Sequence, residues 1–555
     1  MTENKNWILV ATVVASGMVF LDGTVVNVAI ARIGQELPSE VLGTLEGQAY
    51  ITSGYLAILS ATLILAGALA DKYGRRRIFM IGLAGFGITS VLCGIAPNME
   101  FLVIARLLQG VTGALLIPGS LSIITAAFEG QARARAFGIW AAATSALLVF
   151  GPLVGGVLVD TVSWRMAFLI NVPFALIALY GAWKYIPETL DPNAPRRLDW
   201  LGSIVIAIAV GGIAFGLIRG QETGWSDSVA LIALIVGIGA AILFPILMLK
   251  REDPLIPPSI FKRRAFTVIN ISTFLIYGAL YVSQFLQFVF FQGVLGYTAL
   301  AAALVVLPMG ILLALGSTRA GTLAGRIGVW PFLVVGPILM ALSQVWLARL
   351  PADSEPWLAD FADPSTWFPP TSAIIDILPA SILFGLGITL VVAPLTTALM
   401  GSIPVANAGL GSAINNAISR VGQPLVLAVL FVIISASFYG SLGEAVPALD
   451  TDSAAVRTEF QPLNPPADDV PEELVTASAS ASTRAFHLAM LATTLLLLAG
   501  AGVNAAGLER RPSPDEAAST ASGDDDGEPV PSISEDPTDG EAGGRSDEAP
   551  VPDPA

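Results

Sequence analysis

Charge, cysteine and histidine are all scarce in this chain of 555 residues. Only 13% of the residues are charged and 54% are hydrophobic, against roughly 25% charged in a soluble domain. Mean hydropathy is +0.73. A soluble multidomain enzyme is excluded, because most of the chain lies where charge is expensive. The single cysteine, Cys93, excludes an internal disulfide, and the single histidine, His487, excludes a histidine metal cluster and leaves none to spare for a Ser/His/Asp triad. There is no G-x-x-x-x-G-K-[ST] loop for nucleotide phosphates. A membrane enzyme would need histidines or carboxylates clustered at one interface, and a receptor a folded soluble domain; neither is present. No cofactor, metal or nucleic-acid partner is expected.

What charge there is sits unevenly. The formal net charge is −15, but residues 512–555 hold 13 acidic residues and one arginine, so the preceding 511 residues are nearly neutral at −3. That acidic Pro/Ser/Gly tail has too few large apolar residues to bury a core and is expected to be disordered. Met1 to Asn6 leads into an apolar stretch without the short h-region and cleavage site of a secretory signal, and reads as the start of an uncleaved span.

Apolar runs of about 20 residues, the length that crosses a ~30 Å hydrocarbon core, are what the chain has in abundance. Fourteen fall near 7–30, 47–70, 78–97, 101–128, 136–159, 165–186, 200–219, 229–249, 266–292, 298–324, 330–350, 373–400, 409–439 and 483–507. They are too long for barrel strands and lack period-two alternation, so they are helices. With the N-terminus inside, the inner segments carry 19 Lys/Arg and the outer segments six, which places both termini in the cytoplasm. The chain is thus an all-α, multi-pass protein of the cytoplasmic membrane.

An internal repeat sets the architecture. Ala66-Gly67-Ala68-Leu69-Ala70-Asp71-Lys72-Tyr73-Gly74 recurs as Ala320-Gly321-Thr322-Leu323-Ala324-Gly325-Arg326-Ile327-Gly328, five identities in nine, at an offset of eight spans. Two six-helix halves would give an offset of six, so two helices are inserted between them. The expected division is 1–186 for the first half, 187–264 for the inserted pair with its inner linkers, 265–507 for the second half with long outer loops at 351–372 and 440–482, and 508–555 for the tail.

Charges inside spans are the most informative residues, since each costs roughly 2.5–3.5 kcal/mol at mid-membrane and persists where it works or is paired. Asp22 and Arg106 lie at similar depths, about 12 and 8 Å from the outer ends of their spans at 1.5 Å per residue, and are expected to face each other. They serve either as a structural ion pair or as a proton-carrying carboxylate with the guanidinium that stabilises its anion. Gly67 and Gly74 in the first inner loop would let backbones approach and turn, while Asp71 would hold a helix N-terminus or pair with Arg75 beside Arg76. Gly151-Pro152 with Gly155-Gly156 would bend the fifth span and pack it closely. Bulk at Gly155 is expected to be damaging and bulk at Gly212, in the inserted pair, mild. Tyr277, Tyr281, Gln284 and Phe288 share one helical face, either as packing or as a surface on which a flat cation stacks.

These strings together resemble the 14-spanner drug:proton antiporters of the major facilitator superfamily. The resemblance rests on Leu21-Asp22-Gly-Thr24-Val-Val-Asn27, Gly67-Ala-Leu-Ala-Asp71-Lys-Tyr-Gly74-Arg75-Arg76-Arg77, Arg106-Leu-Leu-Gln109-Gly110, Gly151-Pro152-Leu-Val-Gly155-Gly156, Trp164-Arg165, Asn171-Val172-Pro173, Leu198-Asp199-Trp200 and Asn416 with Arg420 and Gly422. The chain departs from that pattern at Ala31, Gly47-Gln48 and Ala299. The resemblance implies the major facilitator fold with 14 transmembrane helices and a proton-coupled exporter of hydrophobic or amphipathic, often cationic, compounds. It also implies Asp22, Arg106 and Gln109 as the proton-coupling group, the first inner loop as a gate, 151–156 as the antiporter motif, and Asn27 with the Tyr277 stripe as cavity. Protons, the substrate and membrane lipids are the expected partners, and a monomer the expected unit. Export of a physiological lipid or metabolite, or proton-coupled import, remains open at this point.

Overall fold

The computed structural model describes residues 3–509 except 191–197, 224, 253, 353, 404–407 and 468. The predicted tail beyond 509 therefore lies outside the described residues. Among those described there are helices and turns and no strand. Thirteen stretches are long and apolar enough to cross a membrane. We number the long helices α1 (Glu3–Glu36), α2 (Thr44–Tyr73), α3 (Arg75–Gly94), α4 (Met99–Ala127), α5 (Gly130–Thr161), α6 (Met166–Tyr185), α7 (Trp200–Glu222), α8 (Ser228–Lys250), α9 (Arg264–Gly293), α10 (Ala299–Ile327), α11 (Trp330–Leu347), α12 (Ala373–Gly401), α13 (Ala408–Ala445) and α14 (Glu472–Gly507). The fifth predicted span falls on α5, a helix of 32 residues.

Helix starts follow local chemistry. Free N–H groups at a helix N-terminus need acceptors, and Asn98, Asp199, Asp227 and Thr298 supply them to α4, α7, α8 and α10. Asp227 lies just outside α8, and its bond from the Val229 N–H together with Arg219 holds its carboxyl below the usual range. Asp199 does more than cap. Its Oδ1 accepts from Gly202 N–H at 2.8 Å and Arg251 Nη1 at 2.7 Å, and its Oδ2 from Leu255 N–H at 3.0 Å, tying both inner ends of the inserted pair together.

The first six helices pack among themselves, as do α9–α14, while α7 and α8 pack against each other and α7 lies on α2 and α13. The halves meet along α1 with α9, α2 with α13, and α5 with α10. Fully buried residues of both halves join in one cluster on one side only. A single apolar cluster runs from Leu21–Ile33 of α1 through Val282–Phe291 of α9 and Ala299–Val306 of α10 to Val426–Leu442 of α13, all on the outer side as the Lys/Arg distribution assigns it. Towards the inside the core divides into one cluster within α1–α6 and another centred on α9 and α11–α14. Among the described residues the buried core is continuous outside and divided inside, as in an inward-facing arrangement.

The loop between α13 and α14 is not loose decoration. It forms a helix, Ala454–Glu459, and buries Phe460 and Leu463 at 1% and 0% exposure. The helix α14 begins at Glu472 rather than near 483, so the loop is shorter than its polar composition suggested. Gly212 also departs from expectation. A Cβ there would lie 2.8 Å from Ala233 O and 2.9 Å from Gly237 Cα, so this glycine makes the α7–α8 crossing possible.

Candidate functional site

The first half folds its intramembrane charges onto each other. Asp22 on α1 is completely buried and Arg106 on α4 is 1% exposed. Arg106 Nη1 donates to Asp22 Oδ2 at 2.6 Å. The other carboxylate oxygen, Oδ1, accepts from Asn171 Nδ2 at 3.2 Å and Gln109 Nε2 at 3.3 Å. Gln109 is held by both ends: its Oε1 accepts from Arg106 Nη1 at 2.7 Å and from Cys93 Sγ at 3.5 Å, and its Nε2 also donates to Ser90 Oγ at 2.9 Å. Such a pair tolerates burial only when its remaining donors and acceptors are satisfied, and here they nearly all are.

The guanidinium draws one partner from a backbone irregularity. Residues Tyr50–Gly54 form a π-turn inside α2, and Arg106 Nε donates to the Ile51 carbonyl at 3.1 Å. A π-turn wastes one helical bond and frees carbonyls, which is why such turns mark functional sites. Arg106 Cζ stands 4.0 Å from the Tyr55 ring centroid and 5.6 Å from that of Phe168, so aromatic faces complete its surroundings. Adding a proton to Asp22 would remove the counter-charge of Arg106 and leave it Gln109 and one carbonyl. The cluster thus ties α1, α2, α4 and α6 together around one carboxylate and one guanidinium.

Gly151, Gly155 and Gly156 of α5 work as a contact face. A Cβ on Gly151 would collide with Thr24 Oγ1, one on Gly155 would meet Val25 Cα at 3.1 Å, and one on Gly156 would lie 2.8 Å from Leu300 Cα. The first two glycines seat α5 on α1, and the third seats it on α10 of the other half. Pro152 lies inside the same helix. Asp160, one turn further, accepts from Leu300 N–H at 2.7 Å and Ala299 N–H at 3.2 Å, bonding the N-terminus of α10 across the halves.

At the inner loop, Arg75 Nε donates to Asp71 Oδ1 at 2.9 Å, and Gly74 has φ 108°, a left-handed-side conformation that glycine adopts freely. The α3 N-terminus is held by Glu188, whose Oε1 accepts from Arg76 N–H at 3.0 Å and Oε2 from Arg77 N–H at 3.1 Å. Asp71 thus takes the Arg75 role and Glu188 takes the capping role. Arg76 donates to the Trp183 carbonyl at 2.6 Å. Gly67 is in ordinary contact, 3.7 Å from Pro118 Cβ, so no close approach depends on it.

The expected aromatic stripe divides. Tyr277 and Tyr281 are half-buried with ring centroids 6.0 Å apart. Gln284 donates to Met309 Sδ at 3.1 Å beside a cavity of about 20 Å³ lined also by Ser343, Ser381 and Phe384. Phe288, 2% exposed, belongs to the outer core cluster and packs in this state. Asn27 is half-buried on α1. Arg420, on the second half, is 7% exposed with its guanidinium 5.5 Å from the Phe20 ring centroid of α1. Sequence reasoning passed over Asn171, Ser90, Cys93, Asp160 and Glu188 as functional residues, since uncharged polar groups in spans and lone acids at ends carry no distinctive signal.

The family model described as Major Facilitator Superfamily matches residues 12–427. The methylenomycin A resistance protein of Bacillus subtilis (strain 168) is 31% identical over 449 residues, covering 80% of this chain and 91% of its own. The multidrug resistance protein Stp of Mycobacterium tuberculosis is 32% identical over 444 residues, 79% of this chain and 78% of its own. The tetracenomycin C resistance and export protein of Streptomyces glaucescens is 31% identical over 431 residues, 77% and 75% respectively. Among solved structures, a bacterial homologue of the human lysosomal transporter Spinster, in an inward-facing and unoccupied conformation, superposes with TM-score 0.60 at 19% identity over 93% of this chain and all of that one. A peptide transporter superposes with TM-score 0.57 at 16% identity over 90% of this chain and 94% of that one. At those identities the two structures speak to the fold alone.

Proposed function

From the premise that this chain belongs to the major facilitator superfamily, we propose that it is a proton-coupled exporter of hydrophobic or amphipathic, often cationic, drug-like compounds across the cytoplasmic membrane. Relatives about 30% identical over three quarters of the chain are named for antibiotic and multidrug resistance, which favours export over import. The observation that carries the reading is the sealed Asp22–Arg106 pair. No other mid-span carboxylate in the described residues is bound by a guanidinium from a different helix of the same half, so it is the group fit to carry the proton.

In this reading Asp22 takes a proton from outside and delivers it inside, while Arg106 follows its charge and shifts α4 against α1. One proton moving inward at 100 mV supplies about 2.3 kcal/mol, before any pH gradient is counted. The glycine face of α5 and the Asp160 bonds hold the outer side shut while the inner side is open; the halves then rock about the midplane. The substrate meets the surfaces of Tyr277, Tyr281, Gln284 and Asn27, and the transporter works as a monomer within lipid.

The test is uptake into everted membrane vesicles, with a panel of dyes and lipids under an imposed pH gradient. Accumulation that requires an acid lumen and is lost in Asp22→Asn supports antiport. Gradient-independent movement, or movement only with the proton, would overturn it.

A further inference from the structure

A second group of buried acids lies at the outer ends of α2 and α7, apart from the Asp22 cluster. Glu46 is completely buried and Gln461, from the α13–α14 loop, is 5% exposed. Glu222, the last residue of α7, is half-buried. All three converge on Gly43. Its N–H donates to Glu46 Oε2 at 3.1 Å, and a Cβ placed on it would collide with Glu222 Oε1 and lie 3.1 Å from Gln461 Oε1.

Of the two guanidinium groups beside this cluster, Arg219 reaches Glu46 and Arg457 is spent outside it. Arg219 gives Nε to Asp227 at 3.0 Å and Nη1 to the Val41 carbonyl at 2.9 Å and Glu46 Oε2 at 3.1 Å. Arg457 gives Nη1 to the Gln221 carbonyl at 3.1 Å, Nε to the Thr451 carbonyl at 3.1 Å and Nη2 to Asp452 at 3.4 Å. Tyr50, whose hydroxyl also faces Glu46, donates to the Phe215 carbonyl at 3.3 Å, and Tyr439 donates to the Phe460 carbonyl at 3.1 Å. Glu100 of α4 faces the preceding loop, where it accepts from Ser39 and the N–H groups of Glu40, Val41 and Leu42. Glu222 therefore receives one hydrogen bond, from Gln461 Nε2 at 3.3 Å, and no guanidinium. Three buried acceptor atoms, Glu46 Oε1, Glu222 Oε2 and Gln461 Oε1, have no donor among the described residues.

Acceptors gathered without a donor are costly to bury, and the remedy available to carboxylates is a proton, which turns one acceptor into a donor and removes one of two like charges. We propose that Glu46 and Glu222 form an acid pair that binds a single proton, a second protonation site on the outer face of the molecule. The proton resides on Glu222, because Glu46 keeps the bonds from Arg219 and Gly43 as an anion. Bound, it links α2, the inserted helix α7 and the loop carrying Gln461; released to an alkaline exterior, it leaves two carboxylates facing across that seam.

Infrared difference spectroscopy of the full chain in lipid nanodiscs, without substrate, tests this by following the carboxylic C=O stretch through a pH titration. The wild type should show a protonated carboxyl lost as pH rises, absent in Glu222→Gln, moved down by about one pH unit in Glu46→Gln once the like charge is gone, and retained in Asp22→Asn. A band unchanged in Glu222→Gln, or no titrating band beyond that removed by Asp22→Asn, would overturn the assignment. So would a titration that shifts when sodium is replaced by N-methylglucamine, because the site would then hold a cation in place of a proton. Retention in Asp22→Asn keeps this outcome independent of whether the export reading stands.

Discussion

At the scale of single residues, the Asp22–Arg106 cluster makes unequal demands on its two members. Replacing Asp22 by Asn removes charge and keeps size but turns one acceptor into a donor, leaving Arg106 with Gln109 and the Ile51 carbonyl. Replacing Arg106 by Ala leaves a carboxylate buried with only amide donors, a loss on the order of 3–5 kcal/mol for a broken buried pair. Asp22→Asn, which leaves Arg106 two acceptors and aromatic faces, should therefore insert and melt closer to the wild type than Arg106→Ala, yet lose pH-driven efflux to background. Arg106→Ala should melt far lower, and Asp22→Asn added to it should recover stability. Thermal melting in detergent with efflux assays checks all three, and additive effects on melting would deny the coupling. Asp22 and Arg106 were legible because charge in an apolar span is conspicuous. Asn171 was visible only as part of a resembling string, and its role as a third partner of Asp22 depends on the packing of α6 against α1. Gln109 was recoverable from its position one turn after Arg106. Glu188 was not, since a glutamate in an inner linker looks like any solvated acid.

At the scale of elements, the glycines of α5 and α7 separate close approach from mere abundance. The Gly151–Gly156 string suggested that Gly155 would be critical, and the place of Gly212 outside the two halves that it would be replaceable; the second expectation fails because Gly212 touches the backbone of α8. Composition shows how many glycines a helix has, whereas which of them face another backbone is fixed by the crossing. Gly211, one residue earlier, has nothing within 4 Å of an added Cβ. Gly156→Leu should push α5 from α10, abolish coupled export and open a proton-independent leak, while Gly211→Leu should leave both near the wild type. Dye leakage from proteoliposomes distinguishes them; equal damage in the two variants would reduce the α5 face to ordinary packing. The spans themselves were legible almost throughout because lipid imposes their length. The α13–α14 loop was not: its short helix and buried Phe460 and Leu463 are stabilised by the ends of α2, α9 and α14, which no local pattern records.

At the scale of the whole molecule, alternating access requires that what closes the outer side be strong enough to hold and weak enough to part. The apolar cluster across the halves supplies most of the closure, but it has no directional memory; Asp160 gives the seam a register by accepting two N–H groups at the start of α10. The Ala299 departure from the family pattern matters here, because a proline at that position would have no N–H to offer. Charge-assisted hydrogen bonds are worth roughly 1.5–3 kcal/mol when buried, and this part-buried pair, open to water on the Asp160 side, belongs just below that range, at about 1.4 kcal/mol, or tenfold in the equilibrium between the two faces. Asp160→Ala should accordingly raise the outward-open population by about tenfold. Ala299→Pro, which deletes the longer of the two bonds, should raise it less. The reporter is a cysteine at Asn27, half-buried on α1, in a Cys93→Ala background that removes the only native thiol. A membrane-impermeant maleimide added outside should label it faster in the order Asp160→Ala, then Ala299→Pro, then the parent. Equal labelling rates in all three would show that the apolar contacts alone set the resting state and that Asp160 merely caps a helix.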